Sequence, residues 1–128
     1  MMSQLIEKWE DSSKENIEKY GNRLKVDIAE MPKALADEIW KSQNSGLMEC
    51  SLFILNDDET PMDYVVKMLK EYFFISYALA SKLMIDIHST GEAEVFKSDL
   101  RLAETVKEFI EQASRIKGYP LSCEIRKA

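Results

Sequence analysis

The sequence has little cysteine, little histidine and no long apolar run, and each scarcity argues against a class of protein. Two of its 128 residues are cysteine and one is histidine, whereas a structural zinc site takes about four Cys, His or carboxylate ligands. We therefore expect no metal and no cofactor, and interpret Cys50 and Cys123 as buried, reduced thiols. No stretch approaches the roughly 18 consecutive apolar residues of a membrane span. The start lacks the pattern of a secretory signal, so we expect a cytoplasmic protein without a membrane partner.

Basic residues are also in the minority. Lys and Arg number 17 against 23 Asp and Glu, which gives a formal net charge of −6. Because such a chain is repelled by phosphate backbones, we expect no nucleic acid partner. Apolar residues make up 45% of the chain and charged residues 31%, proportions that are typical of a globular protein. The length allows one domain with a modest extension.

A strand and two helices begin the predicted core. The run MECSLFIL (48–55) carries apolar residues on both faces, which is typical of a central strand. Thr60 is predicted to cap the first helix, in which apolar residues recur at helical spacing through about Phe74. Ser76 is predicted to cap a second helix that ends near Gly91.

A second strand, a third helix and a third strand complete the predicted core. Alternation over residues 92–96 predicts a half-exposed strand. Ser98 or Asp99 is predicted to cap the third helix, Gly118 to end it, and Leu121 to begin the last strand. This order predicts an α+β fold, with three helices packed on one face of a small three-stranded antiparallel sheet.

The first part of the chain has a different pattern. Residues 1–46 are predicted to form an extension, helical or partly flexible, ahead of a core at residues 47–128. Leu35 and Ile39 lie at helical spacing in the extension. Together with Trp40, they could fold onto the core or bind a partner as an amphipathic helix. Packing onto the core is the favoured interpretation.

Polar residues follow the first predicted strand directly. From residue type alone, Asn56, Asp57 and Asp58 are most often a polar turn. Their place between a buried strand and a helix is also where scaffolds present binding groups, and their oxygens could accept hydrogen bonds from a cation. His88 is either a helix-end histidine or, if the first two helices form a hairpin, a neighbour of Asn56 and Asp57.

Methionines recur at helical spacing near this cluster. Met62, Met68 and Met84 are of a type that usually fills cores, and we assign Met68 to packing. Met62 and Met84 fall beside the polar residues, where a soft and adaptable wall would suit an apolar ligand. Both interpretations stay open for these two side chains.

Four segments of the chain together resemble the ClpS family of adaptor proteins. They are LNDDETPMDYVVKMLKEYF (55–73), the helix over residues 80–88, LAET (102–105) and GYPLSCEI (118–125), colinear over about residues 50–128. The resemblance implies an adaptor that binds the free N-terminal Leu, Phe, Tyr or Trp of a substrate, known as an N-degron. Such an adaptor delivers its substrates to the N-terminal domain of a Clp AAA+ unfoldase, and the partner protease degrades them.

The resemblance also implies roles for individual residues. Asn56, Asp57 and His88 look like the groups that hold the substrate's ammonium, with Asp58 close by. The side-chain pocket would be walled by Thr60, Met62, Val65, Met84, Ile87 and Leu121. Met62 looks like a gatekeeper that disfavours β-branched first residues. A protein that binds free N-termini needs hydrogen-bond acceptors at its pocket mouth, because the charged amino group is a donor, and this agrees with these assignments.

The chain departs from the family pattern at several positions. Ile87 stands where the family usually has valine, and an extra methylene in a small pocket alters side-chain preference. The predicted unfoldase-docking residues are Arg101, Glu104 and Val106, of which Arg101 and Val106 replace an acidic and a basic residue of the family. The alternative is therefore a ClpS-like interaction module with altered or absent protease docking.

Two further classes of function compete with an adaptor. Asp57, Asp58 and His88 could form an acid–base set, but no nucleophile elbow and no metal-binding motif accompanies them. We therefore expect no catalytic residues and no enzymatic activity. A plain protein-interaction module, such as a ribosomal-stalk-like domain, would also fit the fold class.

Overall fold

A computed structural model describes residues 26–43 and 48–127. In this part of the chain, four helices and three strands follow one another as α1 (Lys33–Gln43), β1 (Cys50–Leu55), α2 (Met62–Phe73), α3 (Tyr77–Thr90), β2 (Glu92–Ser98), α4 (Leu100–Ile116) and β3 (Ser122–Lys127). The strands form an antiparallel sheet in the order β2-β1-β3. The predicted α+β architecture, with the first strand at the centre, is therefore confirmed.

The two faces of β1 differ in environment because successive side chains point to opposite sides of a strand. Leu52 and Ile54 are fully buried in the core cluster that the helices share with the sheet. Phe53 belongs to the other face, where the Arg126 guanidinium carbon lies 4.1 Å from its ring centroid. The core therefore lies on the helical side of the sheet, and the opposite face carries polar and charged side chains.

The start of α2 differs from the prediction. Thr60 was predicted to cap this helix, but the N-cap is Pro61, which has no side-chain hydrogen bond, and the helix begins at Met62. The Thr60 hydroxyl instead donates to Asp57. The prediction was wrong by one residue, because Asp57 holds Thr60 in the turn through its amide and its hydroxyl and Pro61 takes the cap position.

The other helix ends follow the predicted signals. Ser76 accepts a hydrogen bond from the Leu79 amide, and Asp99, not Ser98, caps α4 by accepting from Leu102. Gly91 and Gly118 both have positive φ, 96° and 82°, the conformation for which glycine is preferred after a helix. The boundaries of the three strands and of α2, α3 and α4 were therefore predicted to within about two residues.

Part of the predicted extension packs against the core. Leu35 and Ile39 of α1 are buried in the same cluster as the helices of the core, and the Tyr72 hydroxyl donates to the Ala29 carbonyl at 2.6 Å. Packing onto the core, the favoured interpretation, therefore holds for residues 26–43. The boundary between residues 46 and 47 stays a prediction. No helix in the described ranges is long and apolar enough to cross a membrane.

Candidate functional site

A pocket with a volume of about 120 Å³ lies between the turn after β1, the start of α2 and the end of α3. It is lined by Leu55, Asn56, Asp57, Asp58, Thr60, Met62, Val65, Met84, Ile87, His88 and Leu121. The structure thus brings together every residue that the sequence predicted for amine binding and for the apolar walls. Leu55 was missed, because the last residue of an apolar strand carries no signal that separates a pocket wall from core.

Asp57 organises the turn that forms one rim of the pocket. Its Oδ1 accepts hydrogen bonds from the amides of Glu59 at 2.9 Å and Thr60 at 2.6 Å, and its Oδ2 accepts from the Thr60 hydroxyl at 2.7 Å. This arrangement is an Asx-type turn, in which a short side chain replaces backbone hydrogen bonding. Because a carboxylate offers about four acceptor sites, Asp57 can still accept from a ligand while it holds the turn.

Asn56 and His88 are brought together by a link between β1 and α3. The backbone amide of Asn56 donates to the Gly91 carbonyl at 2.8 Å, and the backbone amide of Gly91 donates to the Ile87 carbonyl at 3.0 Å. The next residue, Glu92, starts β2 and pairs with Leu55 at the end of β1. Strand pairing therefore fixes the last turn of α3 beside the turn after β1.

The pocket changes from apolar to polar between its walls and its mouth. Val65, Ile87 and Leu121 are 6%, 4% and 3% exposed, so the walls belong to the core. Asn56 and Asp58 are exposed, as is His88 at the end of α3. An apolar side chain could be enclosed here while amide, carboxylate and imidazole groups accept hydrogen bonds from a cation at the mouth.

Met62 and Met84 stand between these two zones. Met62 is 45% exposed at the first position of α2, and Met84 is half-buried on α3. Met68 is fully buried, as its assignment to packing requires. Met62 and Met84 therefore form an unbranched, adaptable part of the pocket wall.

The predicted docking residues are divided by the fold. Arg101 is exposed and donates to Glu38 of α1 at 2.7 Å, and Glu104 is exposed. Val106 is fully buried, so its side chain offers no surface to a partner and its place in a docking surface is wrong. The reason is helical geometry, since Val106 lies four residues after the buried Leu102 on the inner stripe of α4.

Neither cysteine lies in the pocket. Cys50 and Cys123 are buried and unpaired, and burial, followed by the charge of Glu111, raises the pKa of the Cys123 thiol to about 12. Within residues 26–43 and 48–127, no group of three or more His, Cys, Asp or Glu side chains could hold a metal ion. The pocket lining itself combines the hydrogen-bond acceptors of Asn56, Asp57 and His88 with apolar walls.

Comparison with known proteins connects this pocket to an adaptor family. Residues 27–124 match the family model described as ATP-dependent Clp protease adaptor protein ClpS. The ATP-dependent Clp protease adapter protein ClpS of Alkalilimnicola ehrlichii is 39% identical over 79 residues, which are 60% of this chain and 73% of the relative. The structure of Agrobacterium tumefaciens ClpS2 bound to L-phenylalaninamide is similar with a TM-score of 0.60 and 27% identity, over 63% of this chain and 98% of that one.

Proposed function

Since the chain belongs to the ClpS family of Clp protease adaptors, we propose that its pocket binds the free N-terminal residue of substrate proteins. We further propose that the chain delivers those substrates to a Clp-type AAA+ unfoldase. The observation that carries the proposal is the coexistence, in one pocket, of buried apolar walls and a mouth of hydrogen-bond acceptors. The first residue of a substrate can carry both a free ammonium, which the mouth complements, and a large apolar side chain, which the walls complement.

The ammonium of the substrate is the proposed partner of the mouth. Asp57 supplies a negative charge, Asn56 an amide oxygen and His88 an imidazole nitrogen, with Asp58 adding a second carboxylate beside them. Charge-assisted hydrogen bonds of this kind contribute about 1.5 to 3 kcal/mol each. An internal residue of a protein has an uncharged amide at the same place, so the mouth distinguishes a chain terminus from any other segment.

The side chain of the first residue is the proposed partner of the walls. Val65, Ile87 and Leu121 would surround a Leu, Phe, Tyr or Trp side chain, and burial of such a group contributes about 1.5 to 3 kcal/mol. Met62 at the rim would disfavour β-branched first residues by steric conflict. After the costs of association, these terms support an affinity of about 1 μM or somewhat tighter, which suits transfer to a second protein.

The same geometry supports binding over catalysis. The hydroxyl in the pocket lining, that of Thr60, donates to Asp57 and is thereby engaged in the turn. An acid–base mechanism would require His88 to activate a nucleophile within about 2.6 to 3.2 Å. We propose that the chain is an adaptor without enzymatic activity of its own.

Peptide binding tests the first half of the proposal. Fluorescent peptides that differ only in their first residue are titrated with the protein, with Leu, Phe, Tyr, Trp or Val in that position. The first four should bind tightly and Val weakly. A matched Leu peptide with an acetylated amino group should lose at least about tenfold in affinity, because the charge-assisted bonds are lost. Equal binding of acetylated and free peptides would contradict the proposal.

Delivery is the second half and needs its own assay. The exposed Arg101 and Glu104 of α4 are the proposed docking groups that remain after Val106 is excluded, and residues 1–46 are the proposed extension that accompanies them. The chain should accelerate degradation of a reporter that begins with Leu by a Clp unfoldase and its peptidase. Tight peptide binding without acceleration would instead support the second candidate, a ClpS-like interaction module with altered or absent protease docking.

A further inference from the structure

Near its C-terminal end, α3 exposes a large apolar side chain that does not line the pocket. Ile85 is 57% exposed, although it lies directly after the pocket-lining Met84 and three residues before His88. Single exposed isoleucines are common on protein surfaces, so its position is the informative feature. With 3.6 residues per turn, Ile85 projects about 60° around the helix from His88, on the side away from Ile87.

The last turn of α3 is held in place around Ile85. The Ser89 hydroxyl donates to the Ile85 carbonyl at 2.8 Å, and the Thr90 hydroxyl donates to the Asp86 carbonyl at 2.7 Å. The Gly91 amide continues the series to the Ile87 carbonyl. The backbone therefore stays helical through this turn, and the Cα atoms of Ile85 and His88 keep helical spacing.

We infer that Ile85 contacts the side chain of the second residue of a bound substrate and favours an apolar residue there. The inference rests on the proposed function, in which the first side chain fills the pocket and its ammonium lies among Asn56, Asp57 and His88. The second Cα must then lie about 3.8 Å from the first, outside the mouth. Side chains three residues apart on a helix are about 5 to 6 Å apart at Cβ, so a residue beside His88 is within reach of Ile85.

The substrate class that follows is a chain with two successive apolar residues at its N-terminus. The first residue would be selected by the enclosed pocket and the second by a partly exposed contact. A contact with one exposed side chain excludes less water than an enclosed pocket, so the second preference should be weaker than the first. We expect about fivefold tighter binding for Leu than for Ser at the second position, which corresponds to about 1 kcal/mol.

Two peptides and two variants test this inference. Peptides that begin Leu-Leu and Leu-Ser are otherwise identical, and each is measured with a free and an acetylated amino group. The test variant is Ile85→Ala, which removes the contact and keeps a good helix former. The matched control is Ile116→Ala, because Ile116 is a helical isoleucine that is 83% exposed and does not line the pocket.

The preference for Leu-Leu should fall below about twofold in Ile85→Ala and stay near fivefold in Ile116→Ala. Equal affinities of the two peptides for the unaltered protein, or a preference that Ile85→Ala keeps, would overturn the inference. In either case the loss of binding on acetylation would persist, so the proposed function would stand. If acetylation has no effect on either peptide, the proposed function fails and this inference fails with it.

Discussion

The Asp57 carboxylate accepts a hydrogen bond from the Thr60 amide at 2.6 Å and another from the Thr60 hydroxyl at 2.7 Å. One side chain therefore has two tasks, because the same carboxylate lines the pocket mouth. It holds the turn between β1 and α2, and in the proposed function it carries the negative charge that attracts the substrate's ammonium. A substitution can separate the two tasks if it keeps the shape of the side chain and removes its charge.

Asp57→Asn should weaken peptide binding and leave stability nearly unchanged. The asparagine oxygen can still accept from the amides of Glu59 and Thr60, and its NH₂ group can donate to the Thr60 hydroxyl. Removal of one charge-assisted bond should weaken binding of a Leu peptide by about tenfold or more. Anisotropy titrations and thermal unfolding measure the two effects. Unchanged affinity would show that the ammonium is bound elsewhere.

Two further variants calibrate this result. Asp57→Ala removes all three acceptor bonds and should lower both affinity and the free energy of unfolding, the latter by about 1 to 3 kcal/mol. Asp37→Asn removes one negative charge from the exposed part of α1, away from the pocket lining. It should leave the affinity for a Leu peptide unchanged. The comparison then shows whether the loss of affinity in Asp57→Asn comes from the position of the charge or from the change in net charge of the chain.

Gly91→Ala should lower stability and also weaken peptide binding. Gly91 has φ 96° and its carbonyl accepts the Asn56 amide. A methyl group at Gly91 would meet no atom within 4 Å, so the expected cost is that of the backbone conformation, about 1 to 2 kcal/mol. Any shift of this residue moves Asn56 relative to His88. Chemical denaturation and peptide titration measure the two consequences.

Gly118→Ala is the matched control for that prediction. Gly118 has φ 82° and equally open space for a methyl group, but it lies between α4 and β3 and does not line the pocket. Its substitution should lower the free energy of unfolding by a similar amount while affinity for a Leu peptide stays the same. Equal losses of affinity in both variants would mean that binding follows global stability and not the Asn56–Gly91 link.

Sequence reasoning succeeded where a single helix or strand decides its own burial. The spacing of apolar residues predicts the buried face of α4 from Leu102 to Ala113, whereas Ile116 has the same spacing but is 83% exposed. The first strand, β1, is dense enough in apolar residues to be central. The spacing of Val106 from Leu102 places it on the buried stripe of α4, so the docking role that the family resemblance implies for Val106 conflicts with helical geometry. The Thr60 cap was wrong by one residue, because the hydrogen bonds from Thr60 to Asp57 keep Thr60 in the turn and leave Pro61 at the cap position.

The residues that line the pocket were easier to predict than the contacts that bring them together. Asn56 and His88 were expected to meet through a helix hairpin. In the structure, two further contacts bring them together: the backbone hydrogen bond from Asn56 to Gly91 and the strand pairing of Leu55 with Glu92. These are contacts between distant parts of the chain. The exposure of Ile85 agrees with helical spacing, since Ile85 lies about 100° from Met84 and about 160° from Ile87 around α3.

Thiol chemistry should report on opening of the fold. Both cysteines are buried, and the raised pKa of Cys123, about 12, keeps its thiol protonated in the folded state far above neutral pH. Because the thiolate is the reactive form, a disulfide reagent at pH 8 should label the native protein slowly and the denatured protein at once. Fast labelling of the native protein at Cys123, located by peptide mapping, would contradict the buried position.

Ile87 should limit the size of the first residue that the pocket accepts. It is 4% exposed, lines the pocket and packs in the core, so it has little room to move away from a large ligand. One methylene in a small pocket changes discrimination by about 1 to 3 kcal/mol. A peptide that begins with Leu should therefore bind more tightly than one that begins with Trp, and Ile87→Val should reduce the difference.

The stability cost of Ile87→Val should be about 0.5 to 1.5 kcal/mol, and Ile110→Val supplies the matched control. Ile110 is fully buried on α4 and does not line the pocket, so its substitution should cost similar stability without changing the ratio of Leu to Trp affinity. If the ratio of Leu to Trp affinity changes in Ile87→Val and not in Ile110→Val, the size limit on the first residue is set by the pocket wall. Equal Leu and Trp affinities in the unaltered protein would show that the added methylene does not restrict the pocket.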